Sequence, residues 1–184
     1  MKRIFDKIIA LITPRCYHGD IKTSCREVIV MVTALNVANN ILGRAFNEGI
    51  HITPMKLQKL IYFTYKKYLQ DSGGTPLFAE RFEAWRYGPV VPSVYNEFSH
   101  YSDKPIKRHH LGRDGKPWSV DESSSLFFKA AFDFVWERYK KLTGIELSTL
   151  THMPDTAWEK AVNVKKPHLD DSDIQTEEWF KGDS

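Results

Sequence analysis

The sequence predicts a mainly α fold, one compact helical domain with a small β-strand and hairpin component. Three observations carry that prediction. Thr53-Pro54 is a clean helix start, because the threonine side chain accepts free backbone N–H groups and proline fits the first turn, where no N–H is needed. Residues 123–142 repeat Leu126, Phe127, Ala130, Ala131, Phe134, Val135 and Tyr139 at helical spacing. Strand-like alternation is confined to residues 77–85 and to a hairpin of 106–111 with 116–120 around Arg113-Asp114-Gly115.

Taken in order, Ile4, Phe5, Ile8, Ile9, Leu11 and Ile12 cover half of a short opening helix that Pro14 ends, and 16–24 read as a connector. The next stretch conflicts with itself. Ser24 and Glu27 have capping-box spacing, yet the β-branched run from Val28 to Val32 resists helix. The compromise places Thr33 at the N-cap of a helix over 34–47, with Leu35, Ala38, Leu42, Ala45 and Phe46 inward and Gly49 as its stop.

The helix begun at Pro54 runs to about residue 70. It presents Leu57, Leu60, Ile61, Thr64 and Tyr68 on one face, with Lys56, Lys59, Lys66 and Lys67 largely off it. In the strand at 77–85, Phe78, Phe82 and Ala84 face one way, Arg81 and Glu83 the other. Gly88-Pro89 makes the turn, and Pro92 opens a short helix with Val94, Tyr95, Phe98 and Tyr101. The 123–142 helix is the central strut, ended by Gly144. Short helices follow at 146–152, with Leu147 and Leu150, and around Trp158. Beyond Val162 acids outnumber bases and surround Trp179-Phe180. This reads either as a solvated tail with one aromatic tuck or as a partner-binding segment that folds on contact. The division is an N-terminal extension at 1–32, a helical domain at 33–161 and a polar acidic tail at 162–184.

With 184 residues, 42% hydrophobic and 13% aromatic, the chain has enough apolar area for one well-filled core. A net charge of +3 permits nucleic acid as a partner without indicating it. Two cysteines, Cys16 and Cys25, make neither a disulfide framework nor a structural zinc site. Asp6 and Lys7 interrupt the faintly signal-like N-terminus, and no run nears the roughly 18 apolar residues of a membrane span, so the cytoplasm is the expected compartment.

Chemistry-bearing motifs are absent: no Gly-rich phosphate loop, no G-x-S-x-G elbow, no H-E-x-x-H. The histidines are scattered, and adjacent His109-His110 would point to opposite faces of a strand, so no catalytic, cofactor or metal residue is assigned. His152 at a helix end reads as a structural histidine bonding a terminal carbonyl, or as an interface residue. In residues 80–91, Trp85, Arg86 and Tyr87 precede Gly88-Pro89. They make either a turn packed by rings or an exposed aromatic and arginine patch of the kind that anchors protein interfaces.

Three ordered motifs resemble a known family. They are Leu57-Gln58-Lys59-Leu60-Ile61-Tyr62; Phe78-Ala79-Glu80 with the run from Phe82 to Tyr95; and Glu146 to His152 followed by Trp158 and Lys160. Together they resemble the Panacea domain of SocA-like antitoxins, from about Leu35 to Ala161. The resemblance implies a mainly helical domain, no cofactor, and neutralisation of a co-encoded toxin by direct contact, with delivery to a ClpXP-type protease as a second mode. The alternative is a phage or prophage regulatory adaptor that binds a host factor.

Position by position, the resemblance implies that Leu57, Leu60, Tyr62, Gly88, Pro89 and Trp158 are structural, beside the helix start already read at Thr53 and Pro54. Gln58 and Lys59 reach the partner or cap neighbouring backbone, and Trp85, Arg86, Tyr87, Tyr95 and His152 are partner-binding candidates. The terminal extensions, with Trp179 and Phe180, would suit a particular toxin. One departure is Ala157, where the family has proline before the tryptophan.

Overall fold

In the computed structural model, which describes residues 12–14 and 32–180, one helix is the axis on which the rest is assembled. This is α2, Pro54–Asp71, and its Thr53 N-cap accepts from the Lys56 N–H as the sequence predicts. The flanking helices are α1 (Ala34–Glu48), α4 (Leu126–Tyr139), α5 (Gly144–Thr151) and α7 (Asp171–Thr176); α2 packs on all four. A short α3 (Pro92–Phe98), which also packs on α2, and α6 (Ala157–Asn163) complete the helices. Leu57, Leu60, Ile61 and Tyr62 are sealed from solvent, each such apolar side chain contributing roughly 1.5–3 kcal/mol.

Strands are few among the described residues. β2 (Glu83–Trp85) and β3 (Gly88–Val90) form a hairpin, and β1 (Ile12–Pro14) pairs antiparallel with β4 (Trp118–Val120), Ile12 opposite Val120. Each sheet is finished by side chains in place of a further strand. On β4, Asn40 accepts from the Val120 N–H and donates to its carbonyl, while Asn36 and Asn39 donate to the Trp118 carbonyl. On β3, Lys59 donates to the Pro89 carbonyl, and Gln58 both accepts from and donates to the backbone of Val91 next to it.

Several expectations change. Ile12–Pro14 is a strand, not a helix end; the rest of the opening helix, its connector and the Ser24–Glu27 cap lie outside the described residues. In α1 the buried stripe is Ala34, Val37, Ala38, Ile41, Leu42 and Ala45, leaving Leu35 half-buried and Phe46 exposed. The strand expected over 77–85 shortens to β2; Phe78 and Phe82 bury their rings against Tyr65, and beyond β3 the segment pairs only at 82–84, with 167–169. Arg86-Tyr87 makes the turn, and Gly88-Pro89 begins β3. The first strand of the 106–120 hairpin does not form, and β4 pairs with β1.

Leu126 and Phe127 face outward on α4, which buries Phe128, Ala131, Phe132, Val135 and Trp136. Gly144 starts α5 behind the Thr143–Glu146 capping box and does not end α4. Most consequentially, Lys56, Lys59 and Lys66 are not off the buried face of α2 but inside it. Of the four lysines, only Lys67 keeps a partly solvated side chain, beside Asp71.

Residues 162–180 are not a solvated tail. Leu169 and Ile174 are buried, the Leu169 N–H donates to the Phe82 carbonyl, and α7 lies on α2. Glu177 meets Lys66 at 2.7 Å, with both side chains sealed, and also accepts from the Tyr62 hydroxyl at 2.6 Å. Trp179 lies over the Lys66 ammonium at 4.4 Å and donates to Gln70.

Candidate protein-docking cleft

The N-terminal half of α2, the β2–β3 hairpin and α3 enclose an open cleft of about 500 Å3. Met55, Val90 and Val94 supply apolar wall, Trp85 and Tyr95 a ring pair 4.7 Å apart, and Gln58 and Lys59 the floor. At the mouth Tyr87 is 58% exposed and Tyr95 41% exposed, with the Arg86 guanidinium 5.4 Å from the Tyr87 ring. Gln58, Lys59, Trp85, Arg86, Tyr87 and Tyr95, singled out separately in the sequence, thus converge on one concavity.

The hairpin is held from behind. His152 caps α5, with Nδ1 2.6 Å from the Ser148 carbonyl and Nε2 3.1 Å from the Arg86 carbonyl. Its ring lies against Trp158, whose indole N–H donates to the Trp85 carbonyl at 2.8 Å. Ser148 donates to the Tyr87 carbonyl. The turn that presents Arg86 and Tyr87 therefore has its carbonyls fixed by α5 and α6. His152 is a support for the exposed residues and does not itself line the cleft.

Gly88 is required by close approach. At φ +98°, a Cβ there would stand 2.4 Å from Thr151 Oγ1 and 2.8 Å from Lys59 Nζ. Lys59 is 1% exposed, and burial pushes its amine down to about 7.

A family model described as Antitoxin SocA-like, Panacea domain, matches residues 57–159. The chain belongs to this family. Among curated proteins it is similar to Antitoxin SocA of Caulobacter vibrioides (strain NA1000 / CB15N), 42% identical over 83 residues, which is 45% of this chain and 44% of that protein. The chain thus spans less than half the length of that relative. No solved structure matches.

The cleft's hairpin, α3 and floor, with their supports, all lie inside the matched Panacea domain, whereas α1, α7 and the segment after it lie outside. The departure at Ala157 has a local reason. Thr156 caps α6 normally, and the Ala157 N–H, which proline lacks, donates to Glu177 at 2.8 Å. Trp179 and Phe180 do not line the cleft; they pack around Lys66, on the other half of α2.

Sequence reasoning missed Met55 and Val90 as lining residues and Ser148 as a support, since none carries a signal beyond ordinary core or cap chemistry. It also missed Glu80, whose carboxylate accepts from the Ala34 N–H and so fixes the start of α1. A second cavity, of about 400 Å3, lies beside α1 and is polar. Its groups are tied to one another, Asn40 to Val120 and Arg44 to Asp133, so they are spent on structure. Among the described residues no helix is long and apolar enough to cross a membrane.

Proposed function

We propose that this protein is an antitoxin that binds a co-encoded toxin protein directly, through the cleft and the Arg86, Tyr87 and Tyr95 rim, and that it works by binding, without catalysis or cofactor, in the cytoplasm. One observation carries the reading. The exposed ring of Tyr87 and Arg86 are presented on a turn whose carbonyls are pinned from behind, beside the exposed Tyr95 ring of α3, which is the composition and rigidity of an interface hot spot. Family membership supports the antitoxin role in general. The cleft is a reading of this chain's own surface.

The test is expression of the adjacent reading frame in bacteria, with and without this protein, counting survivors. Rescue by wild type and loss of rescue with Tyr87→Ala, at unchanged circular dichroism, is the expected result. A harmless neighbour, or rescue indifferent to Tyr87 and Tyr95, would remove the reading and favour a phage or prophage adaptor for a host factor. Toxin that accumulates as a complex marks masking. Toxin that disappears only in cells with ClpXP marks delivery to that protease.

A further inference from the structure

Resting on the docking reading above, we propose that Lys59 is the recognition element of the cleft, and that its ammonium group receives an acidic side chain, Asp or Glu, from the toxin protein. Lys59 has one hydrogen-bond partner among the described residues, the Pro89 carbonyl at 2.9 Å, which uses one of its three N–H donors. Besides Lys59, the titratable side chains that line the cleft are Arg86, Tyr87 and Tyr95; Lys56 precedes it on α2, and His152 lies behind the turn. The acids of α2, the hairpin, α3 and α5 are held elsewhere: Asp71 by Lys67, Glu83 by Trp85, Glu97 by Arg108, Glu146 by Thr143. No described carboxylate pairs with Lys59.

The other buried lysines of α2 are compensated. Lys66 has Glu177, and Lys56 donates to the Lys140 carbonyl at the negative end of α4 with Glu146 in its field. Of the three, only Lys59 is among the residues that line the cleft, with its amine beneath Gly88 and 1% of the residue exposed. An ammonium held dry with no counter-charge is costly, and a partner carboxylate supplies what the fold withholds. The apolar walls would exclude water from the pair, and the rim ring of Tyr87 would cover it.

The experiment is calorimetry of the full chain with the toxin from the adjacent reading frame, at pH 8 in buffers of different ionisation enthalpy. The amine, largely neutral there because burial holds it near 7, must gain a proton to pair with a carboxylate. The expected result is net uptake approaching one proton per complex, lost in Lys59→Met. Asp→Asn and Glu→Gln substitutions across the toxin should reveal one acid whose loss weakens binding about thirtyfold or more to wild type but not to Lys59→Met.

Binding without proton uptake, or with no toxin acid coupled to Lys59, overturns the proposal while leaving the docking reading intact if Tyr87→Ala still weakens the complex. Binding indifferent to both Lys59 and Tyr87 removes both. If Lys59→Met does not fold, proton uptake by wild type and the toxin-side scan decide the matter without it.

Discussion

Lys59 and Lys66 stand two turns apart on the same side of α2, both sealed from solvent, and they have opposite surroundings. Lys66 is enclosed by this chain's own C-terminal segment, with the Glu177 carboxylate, the Glu178 carbonyl and the face of Trp179 all in contact. Burial lowers its amine, and Glu177 opposes that shift. Lys59 has a carbonyl only, and nothing opposes the effect of burial. The contrast separates two uses of a buried charge. One is closed within the fold and fastens the strap of residues 177–180 to the axis helix. The other is left incomplete beneath an exposed aromatic rim.

Removing the counter-charge from the closed site should have the largest effect. Glu177→Gln leaves Lys66 buried without a carboxylate, for an expected loss of roughly 3–5 kcal/mol in urea unfolding; a loss below 1 would mean that the strap is not holding the pair. Gly88→Ala attacks the roof of the open site. Its positive φ and the approach of Thr151 and Lys59 predict a cost of roughly 1–3 kcal/mol, read from the unfolding midpoint.

The two sites also differ in how they couple stability to pH. The Lys59 amine falls from its ordinary 10.5 to about 7, so the cost of its charge is present in full below about 7 and is relieved as pH rises through the window up to 10.5. Stability should therefore climb between pH 7 and 9.5 by up to about 1.4 kcal/mol per pH unit from this group, and Lys59→Met should remove that part of the slope. Lys56 and Lys66 act in the same direction and remain in both proteins, so the difference between the curves isolates Lys59.

Ala157→Pro withdraws one N–H from Glu177 while keeping a residue that suits a first helical turn. It should cost about 1 kcal/mol, additional evidence that the strap carboxylate is fully engaged. The smallest effect on stability belongs to Tyr87→Ala, within about 0.5 kcal/mol because the ring is mostly exposed. A large loss there would show that the ring supports the hairpin and does not serve as contact surface.

Local rules identified those parts of the molecule that local chemistry decides. Thr33 and Thr53 cap as their side chains require, Gly49 terminates α1 in the left-handed region, and Pro92 begins α3. The aromatic and arginine residues of the cleft were legible one by one, because Trp, Tyr and Arg beside a Gly-Pro pair are unusual company. Their convergence was not legible, since it depends on α5 and α6 coming behind a turn more than 60 positions earlier, as the contact from Ser148 to Tyr87 shows. The misread elements share one cause. Residues 106–111 alternate well enough for a strand but find no strand to pair with, and 162–180 are polar enough for a tail but find Lys66 and Tyr62 waiting.

By itself the sequence determined the helical class, the clean helix start at Thr53 and the compromise start at Thr33, and the motifs through which the family is recognised, because caps, period and composition act within a few residues. Only the tertiary structure decided which lysines are inside, which of them meets a carboxylate, and that the acidic C-terminal stretch is a strap. A charged residue's cost depends on the partner that long-range packing brings to it, and Glu177 reaches Lys66 across 111 positions of chain.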